Sequence, residues 1–102
     1  MTVSSDYSSA TDTLTIRIVG EFDYDSHQAF KDAYMALPLS TRRKYVIDLR
    51  KVNYMCSAAL GMLLILRERA GDDASRIFLQ GANKDVLKIL DVSRFDQLFT
   101  IN

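Results

Sequence analysis

The stretch Asn53-Tyr54-Met55-Cys56-Ser57-Ala58-Ala59-Leu60-Gly61-Met62-Leu63 places a hydroxyl where a buried strand gives way to an apolar helix. The first amide N–H groups of a helix have no partners within it, and the aligned peptide dipoles put positive partial charge there. A phosphate carried by Ser57 would therefore sit in a favourable field. Serine is also a favoured N-cap, and a capping hydroxyl does no more than satisfy one backbone amide. Both readings of Ser57 stand at this point.

Working outward, 102 residues suit one domain, able to bury roughly two-thirds of its extended-chain surface in a single core. Thirteen basic residues balance thirteen acidic ones, so no global positive field exists to hold nucleic acid or an anionic membrane. Partners are expected to recognise local shape. The single cysteine, Cys56, excludes an internal disulfide, and Met1-Thr2-Val3-Ser4-Ser5-Asp6 has neither the basic nor the apolar region of an export signal. The expected location is cytoplasmic. The longest apolar run, Ala58 to Leu66, has nine residues against the ~20 that a membrane-spanning helix needs.

Upstream, Thr13 to Val19 alternates Leu14, Ile16 and Ile18 with Thr15, Arg17 and Val19, predicting a half-buried strand that Gly20 closes. Thr2 to Ala10 reads as a short edge strand joined to it through a turn at Thr11-Asp12. Ser26 is expected to cap a helix in which Ala29, Phe30, Ala33, Tyr34 and Leu37 recur at helical spacing, ended by Pro38. Arg42-Arg43-Lys44 is expected to be a solvated turn, and Tyr45 to Leu49 the next strand.

Helix two is expected from near Ser57 to Ala70, with Gly71 as its C-cap. Leu60, Leu63 and Leu64 are assigned to its core face, leaving Ala58, Met62, Ile65 and Arg69 on another face that a partner or a neighbouring helix covers. Arg76 to Leu79 predicts a further strand. Asn83 is expected to cap a helix with Val86, Leu87, Ile89 and Leu90 inward, and Phe95 to Ile101 closes the chain. This order predicts an α/β domain with a mixed sheet of four to five strands and three to four helices packed on it, joined by right-handed crossovers.

One histidine and one cysteine cannot assemble the usual zinc sets. Asp23, Asp25 and His27 could hold a hard cation weakly, although solvated loop charges account for them as well. Neither a Gly-rich phosphate loop nor a GxSxG elbow is present, so no enzyme and no cofactor are expected. Cys56 beside a helix start offers a redox-responsive or catalytic alternative, since thiolates are favoured there.

Four ordered motifs then resemble the STAS domain family, in particular its stand-alone anti-sigma factor antagonists, over nearly the whole chain. Gly20-Glu21-Phe22-Asp23 is similar to the family's Gly-Glu-Leu-Asp after the second strand, and Val46-Ile47-Asp48-Leu49 to its central strand ending in Asp-Leu. Cys56-Ser57-Ala58-Ala59-Leu60-Gly61 is similar to its Asp-Ser-Ser-Gly-Leu-Gly, and Leu87 through Phe99 to its last helix and Leu-Phe pair. Cys56, Ala58 and Ala59 depart from that pattern, removing an acid, a second hydroxyl and a glycine.

The resemblance implies that Ser57 is the serine a partner kinase phosphorylates, with Asp23 and Asp48 as acidic positions near it. It also implies partner switching: the unphosphorylated protein docks on an anti-sigma factor or a serine kinase of the histidine-kinase-like ATPase type. Phosphorylation releases that partner and a serine phosphatase restores the docking form. The contact surface expected on this basis comprises Asp23, Asn53, Tyr54, Met55, Cys56, Ser57, Ala58, Met62, Ile65 and Arg69. Neither nucleic acid nor membrane is expected as a partner, and the protein is expected as a monomer or weak dimer. A phosphorylation-independent adaptor of the same fold, with Ser57 as a plain helix cap, is the remaining alternative.

Overall fold

The computed structural model describes residues 2–102. Five strands, β1 (Thr2–Ser8), β2 (Thr13–Phe22), β3 (Lys44–Met55), β4 (Ile77–Gln80) and β5 (Thr100–Ile101), form one sheet in the order β1-β2-β3-β4-β5. β1 and β2 are an antiparallel hairpin, and every later pair is parallel. The connecting helices are α1 (His27–Met35), α2 (Ser57–Arg69) and α3 (Lys84–Val92), with single 3-10 turns at Tyr24–Ser26, Ala74–Arg76 and Phe95–Gln97.

Side chains alternate across a pleated strand, so one face of this sheet is apolar. Leu14, Ile16 and Ile18 of β2, Tyr45, Ile47 and Leu49 of β3, and Ile77 and Leu79 of β4 are all buried in one row-by-row layer. Phe30 and Tyr34 of α1, Leu63 and Leu66 of α2, and Val86 and Leu90 of α3 close over it as a single core. Thr15, Arg17, Val46 and Asp48 lie on the opposite face.

The structure extends two strands beyond their expected ends. β3 carries two extra residues relative to β2, at the register shifts between Arg17 and Val19 and between Gly20 and Glu21. Each bulge adds an unpaired residue and breaks the two-residue alternation, so burial passes from Leu49 to Val52 to Met55 in steps of three. Gly20 does not close β2; its φ of 97° serves the second irregularity, a conformation an L side chain rarely adopts.

Four local expectations are corrected. Ser26 occupies the N-cap position of α1 but is buried and makes no side-chain capping bond, its hydroxyl donating to the Glu21 carbonyl at 3.4 Å; Asp23 accepts from the Asp25 amide at 3.1 Å and caps the preceding 3-10 turn. Arg43 is only 3% exposed rather than solvated: it donates to Asp12 at 3.0 Å and to the Pro38 carbonyl at 2.7 Å, and stacks over Tyr7. The buried residues of α2 are Ala59, Met62, Leu63 and Leu66, with Leu60 half-buried and Leu64 exposed. An almost uniformly apolar helix offers no contrast from which to read its inner face. The Asn83 cap forms as expected, accepting from the Val86 amide at 2.9 Å, and Leu87 is exposed where an inward position was expected.

Candidate functional site

β2 and β3 are parallel and end together, Phe22 opposite Met55. The Cys56 amide then donates to the Phe22 carbonyl at 3.2 Å, so the two chains leave the sheet side by side. One continues into Asp23 and the 3-10 turn, the other into Ser57 and α2. The carboxyl ends of parallel strands are where open α/β sheets gather their sites.

Cys56 occupies the N-cap position of α2 in extended conformation, φ −96° and ψ 174°, without a side-chain capping bond. Its carbonyl accepts from the Ala59 and Leu60 amides. Ser57 is the first helical residue and is exposed, so its hydroxyl is not the cap. The amides ahead of Ala59 lie in the first turn, where no carbonyl of the preceding turn exists to receive them. The helix start is thus open to an anion on the Ser57 side chain.

Around it, Asn53 and Tyr54 are exposed at the end of β3, and Asp23 and Ala58 are half-buried. Tyr24, 70% exposed, stacks on His27 with ring centroids 5.6 Å apart, and its 3-10 turn lies against α2. Sequence reading passed over Tyr24, although it directly follows the Gly20-Glu21-Phe22-Asp23 motif. Ile65 is 54% exposed further along α2, and Arg69 donates to the Leu37 carbonyl at 3.2 Å with its guanidinium over the Tyr34 ring.

Three expected site residues lie elsewhere. Met55 and Met62 are only 2% and 5% exposed and belong to the core, so neither offers a surface to a partner. Asp48 lies on the open face of the sheet, seven residues before Met55 on β3, or roughly 23 Å at the usual strand rise. There it accepts from the Arg50 amide at 3.0 Å and faces Arg17 at 3.7 Å, well away from Ser57. Among the described residues no group of three His, Cys, Asp or Glu side chains is placed to hold a metal ion, Asp23, Asp25 and His27 included. No helix among them is long and apolar enough to cross a membrane.

The family model for the Mlab STAS domain matches residues 5–100. A STAS-domain containing protein of Pseudomonas aeruginosa (strain UCBPP-PA14) is 49% identical over 89 residues, covering 87% of each chain. Among solved structures, the anti-sigma factor antagonist SpoIIAA in its unphosphorylated form superposes with a TM-score of 0.79 at 18% identity, covering 99% of this chain and 88% of that one. An anti-sigma factor antagonist from Mycobacterium paratuberculosis gives 0.78 at 18% identity, covering 98% and 85%. The Bacillus SpoIIAA in its phosphorylated form gives 0.65 at 15% identity, covering 99% and 91%. At these identities the structural likeness is one of fold.

Proposed function

Because the chain belongs to the STAS domain family, we propose that it is a non-enzymatic anti-sigma factor antagonist, controlled by phosphorylation of Ser57. Unphosphorylated, it docks in the cytoplasm on an anti-sigma factor or on a serine kinase of the histidine-kinase-like ATPase type. The kinase modifies Ser57 and releases the complex, and a serine phosphatase resets it. The observation that carries this reading is the exposed Ser57 hydroxyl at the first residue of α2, a position where it has no capping duty. Its structural relatives include SpoIIAA in both an unphosphorylated and a phosphorylated form, which supports this reading.

The energetics suit a switch. Phosphate adds about −1.5 to −2 charges and three acceptor oxygens. In the free protein the α2 dipole offsets about 0.3–1 kcal/mol of that charge, whereas a mismatched charge desolvated inside an interface costs several kcal/mol. A net loss of ~3–4 kcal/mol lowers affinity several hundred-fold. The contact surface on this reading is Asn53, Tyr54, Cys56, Ser57, Ala58, Ile65 and Arg69, with Asp23 and Tyr24 at its edge.

The deciding experiment is mass spectrometry of the protein isolated from its own cells, mapping Ser57, in parallel with capture of the bound regulator. Phosphate on Ser57 confined to the unbound pool is the expected result. An unmodified Ser57 in every growth condition would remove the phosphorylation switch.

A further inference from the structure

We propose that the groove between α1 and α2 receives an amphipathic helix of the regulator, its apolar face flanked by carboxylates; the assignment of a regulator as occupant rests on the function proposed above. The groove is a shallow hollow of about 490 Å³, wide open to solvent between the two helices. It is lined by buried Tyr34, by exposed Met35, Leu39 and Ile65, and by Lys31 and Arg69. A smaller hollow continues it past Lys31 and Ile65 towards His27, in the direction of the Tyr24 turn.

Leu39 identifies the groove as a built feature. It is 69% exposed on the irregular segment between α1 and β3, yet the backbone that presents it is fastened. Arg69 donates to the Leu37 carbonyl at 3.2 Å, Arg43 to the Pro38 carbonyl at 2.7 Å, and Arg76 to the Ser40 carbonyl at 2.8 Å. Asp12 in turn accepts from Ser40 and Arg43. An exposed leucine on a pinned segment costs little ordering on binding, which is the economy of a preorganised contact.

The charges indicate what enters. Lys31 and Arg69 face one carboxylate, Glu68, so the lining is net positive in a chain whose overall charge is zero. Arg69 also has a buried Nε with no acceptor among the described residues. Apolar side chains from the end of α1, the segment after it and α2 offer pockets of the kind that the apolar anchors of a helix laid in a groove occupy. Taken together with the smaller hollow, the lining runs from His27 to Met35 on α1, a seat of about 13 Å, or roughly two and a half helical turns.

Two labelled synthetic helical peptides test this by fluorescence anisotropy against the full-length protein. Both carry leucines at helical spacing; one has glutamates flanking the leucine face and the other lysines. The glutamate peptide is expected to bind at least tenfold tighter than the lysine peptide. Ile65→Glu and Leu39→Glu, both at exposed positions, are each expected to weaken it at least tenfold, and Lys31→Glu to narrow or reverse the preference. Lys84→Glu on α3 serves as a charge-matched control and should leave binding unchanged. Equal binding of the two peptides, indifference to Ile65→Glu and Leu39→Glu, or no binding by about 1 mM would each overturn the proposal. So would sedimentation showing that Ile65→Glu abolishes a dimer of this chain, which would make a second copy the occupant. Release of the captured regulator by Ser57→Asp is a separate readout: if it occurs while the peptides ignore the groove, the switch stands and the groove falls, and the converse removes only the switch.

Discussion

The Cys56 amide donates to the Phe22 carbonyl at 3.2 Å, one step beyond the last Cα pair of β2 and β3. That single bond keeps the segment bearing Asp23 beside the segment bearing Ser57. Because both strands are parallel and leave the sheet in the same direction, two motifs more than thirty positions apart in the chain share one end of the fold.

Replacement of Ser57 by Asp is expected to weaken binding of the regulator captured from cells by at least about tenfold, and replacement by Ala to leave it bound. Titration calorimetry with purified regulator measures both. Asp carries less charge than phosphate, so the phosphorylated protein should lie further in the same direction. Equal affinity of all three forms would contradict the switch.

Cys56→Asp should stabilise the protein. The N-cap residue already has the extended backbone that a capping carboxylate needs, but its present side chain makes no capping bond. An Asp there can accept from a first-turn amide and face the positive end of α2, together worth about 0.5–1 kcal/mol. Urea unfolding at neutral pH should show a raised midpoint with an unchanged slope. A lowered midpoint would mean that the site cannot accommodate the carboxylate.

The acid limb of stability should depend on Asp12. The Ser40 hydroxyl, then the Tyr7 hydroxyl and the Arg43 guanidinium hold its carboxyl at about 2 against an ordinary 3.8. A carboxyl lowered on folding contributes stability that is fully present above its unfolded value and is lost as pH falls through the folded one. The window here runs from 3.8 down to about 2. Asp12→Asn tolerates the positive φ of 47° at this turn and should flatten the pH dependence within that window. Urea midpoints taken across it provide the measurement, and an unaltered acid limb would show that other carboxyls dominate.

Leu63→Ala should cost about 2–5 kcal/mol, because the side chain is fully buried where α2 meets the sheet and its loss leaves a cavity. Leu64→Ala, one position on and exposed, should cost far less. Thermal or urea denaturation of the pair checks the observed orientation of α2; comparable losses would require the helix to be rotated.

Much of the fold could be read from neighbouring residues. The alternation of Leu14, Ile16 and Ile18, the turn at Thr11-Asp12, the Asn83 cap and the positive-φ Gly71 behind α2 all appear where the sequence pattern puts them. So does the junction at Cys56-Ser57, since a strand ending on Met55 and a helix opening on an apolar run leave distinct local patterns. The far half of β3 was hidden because two bulges erased its alternation.

The chain alone therefore determined the order of its elements, the sheet-and-helix class and the position of Ser57 at a helix start, since alternation, capping and turn formation depend on residues a few places apart. The packed fold decided which face of α2 turns inward, that Met55 and Met62 are core, that Arg43 is buried against Asp12, and that Asp48 is remote from Ser57 while Asp23 is near. Each of these depends on contacts between residues distant in sequence, where strand register and helix rotation, rather than local preference, set which side chains meet.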